Sequence, residues 1–232
     1  MVSHITLSNF YRFLEKERGY SPHTVKAYQN DLTRFVKFLP SSISGFDQVN
    51  RQAIRGFLAS EFDNGLIGKT VARRLASIKS FFNFLIEEGY VIENPTDGIL
   101  SPRIGRTLPK PISIEDVDQL LQEPLKSTTP EGIRDAAMLE LLYASGLRVS
   151  ELVGLNLRDV NLEERYVRCM GKGSKERVVP LHGKAVSSIR LYIENAWPKL
   201  KHNYSERGTA LFVNRRGFRL SRQGMWLILK GY

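Results

Sequence analysis

Between Asn94 and Pro111 the chain carries Pro95, Pro102, Pro109 and Pro111, and shows neither helical nor strand periodicity. Such a segment continues neither a helix nor a central strand, so it divides the chain. Residues 1–100 read as one domain, 101–111 as a linker and 112–232 as a second domain. Arg103, Arg106 and Lys110 make the linker basic, and its prolines limit its flexibility.

The first domain reads as helices only. Val25, Tyr28, Leu32, Phe35, Val36 and Leu39 fall on one helical face, and Ser21-Pro22 ahead of them supplies an N-cap and a first-turn proline. Val71, Leu75, Ile78, Phe81, Phe82, Leu85 and Ile86 form a longer stripe ended by Gly89. Segments 7–18 and 51–62 complete a bundle. The opposite faces mix basic and small polar residues: Lys26, Asn30, Arg34 and Lys37 on one, Lys69, Arg73, Ser77 and Ser80 on the other. Such faces can be solvated surface, or can approach a phosphate backbone closely and offer it donors.

The second domain mixes periods. Ser113 caps a helix with an acidic first turn that runs to about residue 122. A helix over 132–144 is expected to bury Ala136, Leu139, Leu142 and Tyr143, and a short helix follows Gly146. Strands are predicted over 166–170 and 177–181, then a helix over 185–197 stopped by Pro198. Residues 210–213, a turn at Arg215-Arg216-Gly217 and a helix opened by Ser221 follow. The fold class is mainly α with a small β component.

A net charge of +10 favours a polyanionic partner, because each neutralised phosphate releases counterions. No segment approaches the roughly 20 apolar residues of a membrane span, and no long amphipathic helix has an all-basic face. The first residues lack the pattern of a secretory signal. The single cysteine, Cys169, excludes an internal disulfide, reads as a packed thiol in a strand and fits a reducing cytoplasm.

Two motifs carry chemistry. In Ala144-Ser145-Gly146-Leu147-Arg148-Val149-Ser150-Glu151, Gly146 can take the left-handed conformation that ends one helix, and the next begins near Arg148. Free N–H groups there would reinforce an anion site, and Glu151 at i+3 could fix the guanidinium. On spacing alone, a surface ion pair worth a few tenths of a kcal/mol fits as well. In Gly171-Lys172-Gly173-Ser174-Lys175-Glu176-Arg177, the glycines let the Lys172 ammonium come close to a phosphate and act as a general acid. Lys175 and Arg177 are expected to grip the backbone. A solvated basic turn is the alternative. The loop enters a strand, not a helix, so it is a poor P-loop.

The stretches Ser145-Gly146-Leu147-Arg148-Val149-Ser150-Glu151-Leu152 and Gly171-Lys172-Gly173-Ser174-Lys175-Glu176-Arg177-Val178-Val179-Pro180-Leu181 resemble the catalytic signatures of tyrosine recombinases, Xer type above all. Tyr20-Ser21-Pro22-His23-Thr24-Val25-Lys26-Ala27-Tyr28 resembles the start of that family's core-binding domain, and Leu108-Pro109-Lys110 the opening of its catalytic domain. The resemblance implies a SAM-like helical domain and an α+β catalytic domain that clamp double-stranded DNA. It implies a 3′-phosphotyrosyl intermediate, a tetramer of recombinases, and no metal or other cofactor. Arg148 and Lys172 would be catalytic, and Glu151 would support the site. Lys26, Asn30, Arg34, Lys69, Arg73, Ser77, Lys175 and Arg177 would contact DNA.

The family's remaining groups, a His-x-x-Arg motif and a nucleophilic tyrosine, have no match. His4, His23, His182 and His202 are followed three residues on by Leu7, Lys26, Ala185 and Ser205. Residues 225–232 resemble the helix that precedes His-x-x-Arg, so Tyr232 is not expected to be the nucleophile. The resemblance therefore implies a truncated, inactive form of an enzyme serving chromosome dimer resolution. A non-catalytic DNA-binding decoy and a phage or mobile-element integrase fragment are the alternatives.

Overall fold

The computed structural model describes residues 4–102, 105, 111–171, 176–201 and 209–232. Lys172, Lys175, Arg103, Arg106 and Lys110 lie outside the described residues. The chain divides into two compact units, Met1–Leu108 and Pro109–Tyr232, each with its own apolar core.

The first unit contains α1 (His4–Lys16), α2 (Pro22–Phe38), α3 (Arg51–Asp63) and α4 (Gly68–Glu87). Local chemistry sets their ends. Ser21 Oγ accepts the Thr24 N–H at the start of α2, and Asn50 Oδ1 accepts that of Ala53 at the start of α3. Gly65 and Gly89, at φ +78° and +70°, turn the chain after α3 and α4. The core is aromatic: Phe10, Phe35, Phe57, Phe81 and Phe82 are fully buried. Phe46 meets Phe81 edge-on at 4.7 Å between ring centroids, a geometry worth about 0.5–1.5 kcal/mol beyond area burial. The first part of the proline-rich stretch packs onto this unit. Thr96 and Ile99 are buried, and Lys79 Nζ donates to the Ile99 carbonyl at 2.7 Å.

The second unit contains α5 (Ile114–Gln122), α6 (Pro130–Ser145), α7 (Val149–Gly154), β1 (Val160–Asn161), β2 (Tyr166–Met170), β3 (Glu176–Pro180), α8 (Gly183–Leu191), α9 (Trp197–Lys201) and α10 (Arg222–Gly231). The strands form an antiparallel sheet in the order β1-β2-β3, with Cys169 opposite Arg177 and Met170 opposite Glu176. Val167 and Cys169 face the core while Arg168 and Met170 face out, the two-residue alternation of a half-buried strand. Burial pushes the Cys169 thiol pKa up, as suits a packed side chain.

Two sequence expectations for this unit are corrected. Tyr143 is exposed and Leu142 only half-buried, because α6 turns Ala137, Met138 and Leu141 inward instead. Pro198 does not stop its helix: a π-helical turn, Tyr192–Ala196, separates α8 from α9, and Pro198 lies in the first turn of α9. A π turn displaces the hydrogen-bond ladder, and that tolerates a residue with no N–H. Residues 210 and 213, left without a type by the sequence, make isolated bridges, Ala210 with Asn156 and Val213 with Arg219. A short strand, β1, was not anticipated, since two residues carry no readable period.

Gly146 closes α6 at φ +59°, its N–H bonded to the Leu142 carbonyl. A Cβ there meets no atom within 4 Å, so the cost of a side chain is conformational alone. Gly146→Ala is expected to destabilise the second unit by about 1–2 kcal/mol. A lower urea midpoint at unchanged slope would show this, and an unshifted midpoint would refute it.

Candidate active site

Gly146 releases the chain from α6, and Arg148 becomes the N-cap of α7, with extended φ and ψ of −68° and 150°. Glu151 then lies one turn along and folds back over the helix start. Its Oε2 accepts the Arg148 backbone N–H at 2.8 Å, and its Oε1 accepts from Arg148 Nη1 at 3.0 Å. The expected free N–H at this position is therefore occupied by a carboxylate. That arrangement neutralises the helix end and aims the guanidinium.

The decisive contact comes from the sheet. Arg177 on β3 donates from Nη1 and Nη2 to the two Glu151 oxygens at 2.9 and 2.8 Å, a bidentate fork. The Glu151 side chain is only 6% exposed, whereas that of Arg148 is 67% exposed. Glu151 is thus a buried anchor shared by two arginines, and the surface ion-pair account of this spacing does not hold. The Arg177 fork, then the Arg148 bonds, hold the Glu151 pKa down at about 2, despite burial. Arg177, expected to grip the DNA backbone, places Nη1 and Nη2 on Glu151 while its side chain stays 38% exposed. In sequence, β2 and β3 flank residues 171–175, and Lys172 among them lies outside the described residues.

The far end of α7 is also tied down. Arg219 Nη1 donates to the Val153 and Leu155 carbonyls, both at 2.9 Å, which satisfies carbonyls freed where the helix ends. No feature of the sequence singled out Arg219. At the C-terminal end, the Tyr232 hydroxyl donates to Asp135 Oδ2 at 3.0 Å. Burial and the Asp135 charge push the Tyr232 phenol up to about 12, which disfavours the phenolate a nucleophile needs.

In the first unit, Lys26, Asn30 and Lys69 are exposed. Arg34 and Arg73 are half-exposed, with side chains at 51%, and each is tied to a buried carboxylate, Glu61 and Asp31 respectively. Ser77 departs from expectation: it is 4% exposed, and its hydroxyl donates to Asp31 Oδ2 at 2.8 Å. The helix turns it inward, so it is not available to a partner. Asp31 and Glu61 were missed, although both fall on core-facing positions of their stripes, Asp31 beside Leu32 and Glu61 four residues after Phe57.

Residues 111–232 match the model of the phage integrase family, and residues 7–89 match that of the phage integrase N-terminal SAM-like domain. Both units are thus those of an enzyme class that recombines DNA. Tyrosine recombinase XerC of Roseiflexus castenholzii is 46% identical over 224 residues, 96% of this chain and 71% of the relative. Tyrosine recombinase XerD of Oceanobacillus iheyensis is 43% identical over 228 residues, 97% of this chain and 75% of the relative. The chain belongs to the phage integrase family, among the tyrosine recombinases of Xer type. Its fold is also that of a lambda integrase (75-356) dimer bound to a COC' core site, with a TM-score of 0.72 at 16% identity, covering 100% of this chain and 77% of that one. The Tn1549 transposon integrase in complex with a circular intermediate DNA gives 0.71 at 19% identity, over 96% and 77% of the two chains.

Proposed function

We propose that the site acts on a scissile phosphate in duplex DNA, with Arg148 on the non-bridging oxygens and Lys172 on the leaving group. The observation that carries this reading is the Arg148 guanidinium, exposed at its tip and fixed from beneath by a buried carboxylate. When a tyrosine phenolate from the family's tyrosine segment attacks phosphorus, negative charge gathers on the equatorial oxygens, and a pre-aimed guanidinium stabilises it without reorganising. The new bond is tyrosine oxygen to phosphorus, and the bond broken is phosphorus to the 5′-oxygen. That oxygen takes a proton from the Lys172 ammonium and leaves as a hydroxyl. Rejoining runs the same steps in reverse. None of these steps needs a metal or nucleotide.

The Xer relatives support site-specific recombination, with chromosome dimer resolution as its setting in the cytoplasm. Lambda integrase, a structural neighbour, forms a dimer bound to a COC' core site and a tetramer bound to a Holliday junction, which supports DNA binding and assembly of several copies. No described helix is long and apolar enough to cross a membrane.

The 232 residues contain no His-x-x-Arg, and Tyr232 is engaged with Asp135. The 232-residue chain is therefore expected to bind duplex DNA without forming a covalent adduct. Incubation with a nicked suicide duplex followed by denaturing electrophoresis tests this. A shifted, protease-sensitive DNA band would overturn it.

A further inference from the structure

Asp31 and Glu61 lie inside the first unit, each 2% exposed, where a helical bundle ordinarily keeps hydrocarbon. On α4, Ser77 Oγ and Arg73 Nη1 both donate to Asp31 Oδ2, and Arg74 Nε lies 3.8 Å from Asp31 Oδ1. Glu61, on α3, accepts from Arg34 Nε of α2 at 2.9 Å and also pairs with Arg74. Three helices thus meet in one network of two carboxylates and three guanidiniums.

The three arginines differ in exposure. Arg74 is 12% exposed and lies against both carboxylates, so it serves as the internal counter-ion. Arg34 and Arg73 are each 51% exposed: one edge rests on a buried carboxylate, and the rest of the guanidinium reaches the surface beside Lys26, Asn30 and Lys69. Buried ion pairs seldom stabilise a fold better than hydrocarbon of the same volume, so stability is a weak reason for this network. Orientation is a stronger one. A guanidinium already held along one edge loses less freedom when its other donors meet a phosphate.

We propose that Asp31 and Glu61 are positioning residues, which hold Arg73 and Arg34 pre-oriented on the basic face for the DNA backbone. The proposal rests on the reading of this unit as DNA-binding. It opposes simple charge counting. Asp31→Asn or Glu61→Gln removes a negative charge near the face, which by electrostatics alone should tighten binding to DNA. Loss of orientation should weaken it.

The test is fluorescence anisotropy of the 232-residue chain with a labelled 30-base-pair mixed-sequence duplex, over a salt series. Asp31→Asn and Glu61→Gln are each expected to weaken binding about fivefold, with melting temperatures checked alongside. In an Arg34→Ala background, Glu61→Gln should weaken binding no further, because the residue through which it acts is gone. A purely structural role would add in both backgrounds. Ser77→Ala loosens Asp31 without changing any charge and should weaken binding about twofold, which keeps the test available if Asp31→Asn does not fold. Unchanged or tighter binding in the carboxylate and Ser77 variants, with Arg34→Ala and Arg73→Ala weakened, overturns the proposal alone. If Arg34→Ala and Arg73→Ala bind like the parent, the DNA-binding reading of this face fails, and the proposal with it.

Discussion

Arg148→Ala is expected to lower the rate of DNA cleavage about 10³-fold in any form of the protein that carries the His-x-x-Arg and tyrosine segments of its family. That factor corresponds to about 4 kcal/mol of transition-state stabilisation. It is large because the guanidinium is presented, not merely present: Glu151 holds Nη1 at 3.0 Å, and the side chain beyond is open to an anion. A lysine at this position keeps the charge but not the bidentate fork, so Arg148→Lys should recover only part of the loss. Affinity for duplex DNA should change far less, because one phosphate contact among many contributes little to binding. Single-turnover cleavage of a suicide duplex, measured beside binding, separates the two. Cleavage at the parental rate would remove Arg148 from the reaction.

Glu151→Gln is expected to destabilise the second unit by about 2 kcal/mol, and Glu151→Ala by more. Glutamine keeps the shape, but it cannot serve the Arg177 fork and the Arg148 N–H together. One side of its amide donates where the carboxylate accepted. Arg177 is 38% exposed and can recover some hydration, which keeps the cost below that of a fully buried orphan charge. The effect depends on pH with a definite sign. The folded-state pKa of Glu151, about 2, lies below its ordinary value of 4.5, so its ionised form is bound more tightly in the folded state. Its stabilisation is fully present above about pH 4.5, declines as pH falls, and is gone near pH 2. Urea titrations of parent and Glu151→Gln should therefore differ most at neutral pH and converge in acid. A stability difference that does not depend on pH would rule out the charged pair as its cause.

Much of the scaffold was legible residue by residue. Ser21, Ser113 and Ser221 each cap the helix they were expected to open, because a cap is a contact over three residues. Gly146 takes the positive φ its motif required. Apolar stripes at helical spacing located α2 and α4, because one side of each helix must leave water. Where local rules failed, a non-local contact or a backbone rearrangement had overridden them. Tyr143 fits an apolar helical period yet lies at the surface, and Pro198 ends no helix, because the π turn absorbs its missing N–H.

The sequence by itself determined the capped helix starts at Ser21, Ser113 and Ser221 and the motif holding Arg148 and Glu151, since these rest on contacts within a few residues. Only the tertiary structure decided what the charged residues do. Glu151 and Arg177 meet across 26 residues, and Asp31 and Ser77 across 46. In a linear chain, a core-facing helical position hints that Asp31 or Glu61 is buried but names none of its partners. Those partners are decided when packing removes water, because a charge deprived of hydration must then find them within the fold.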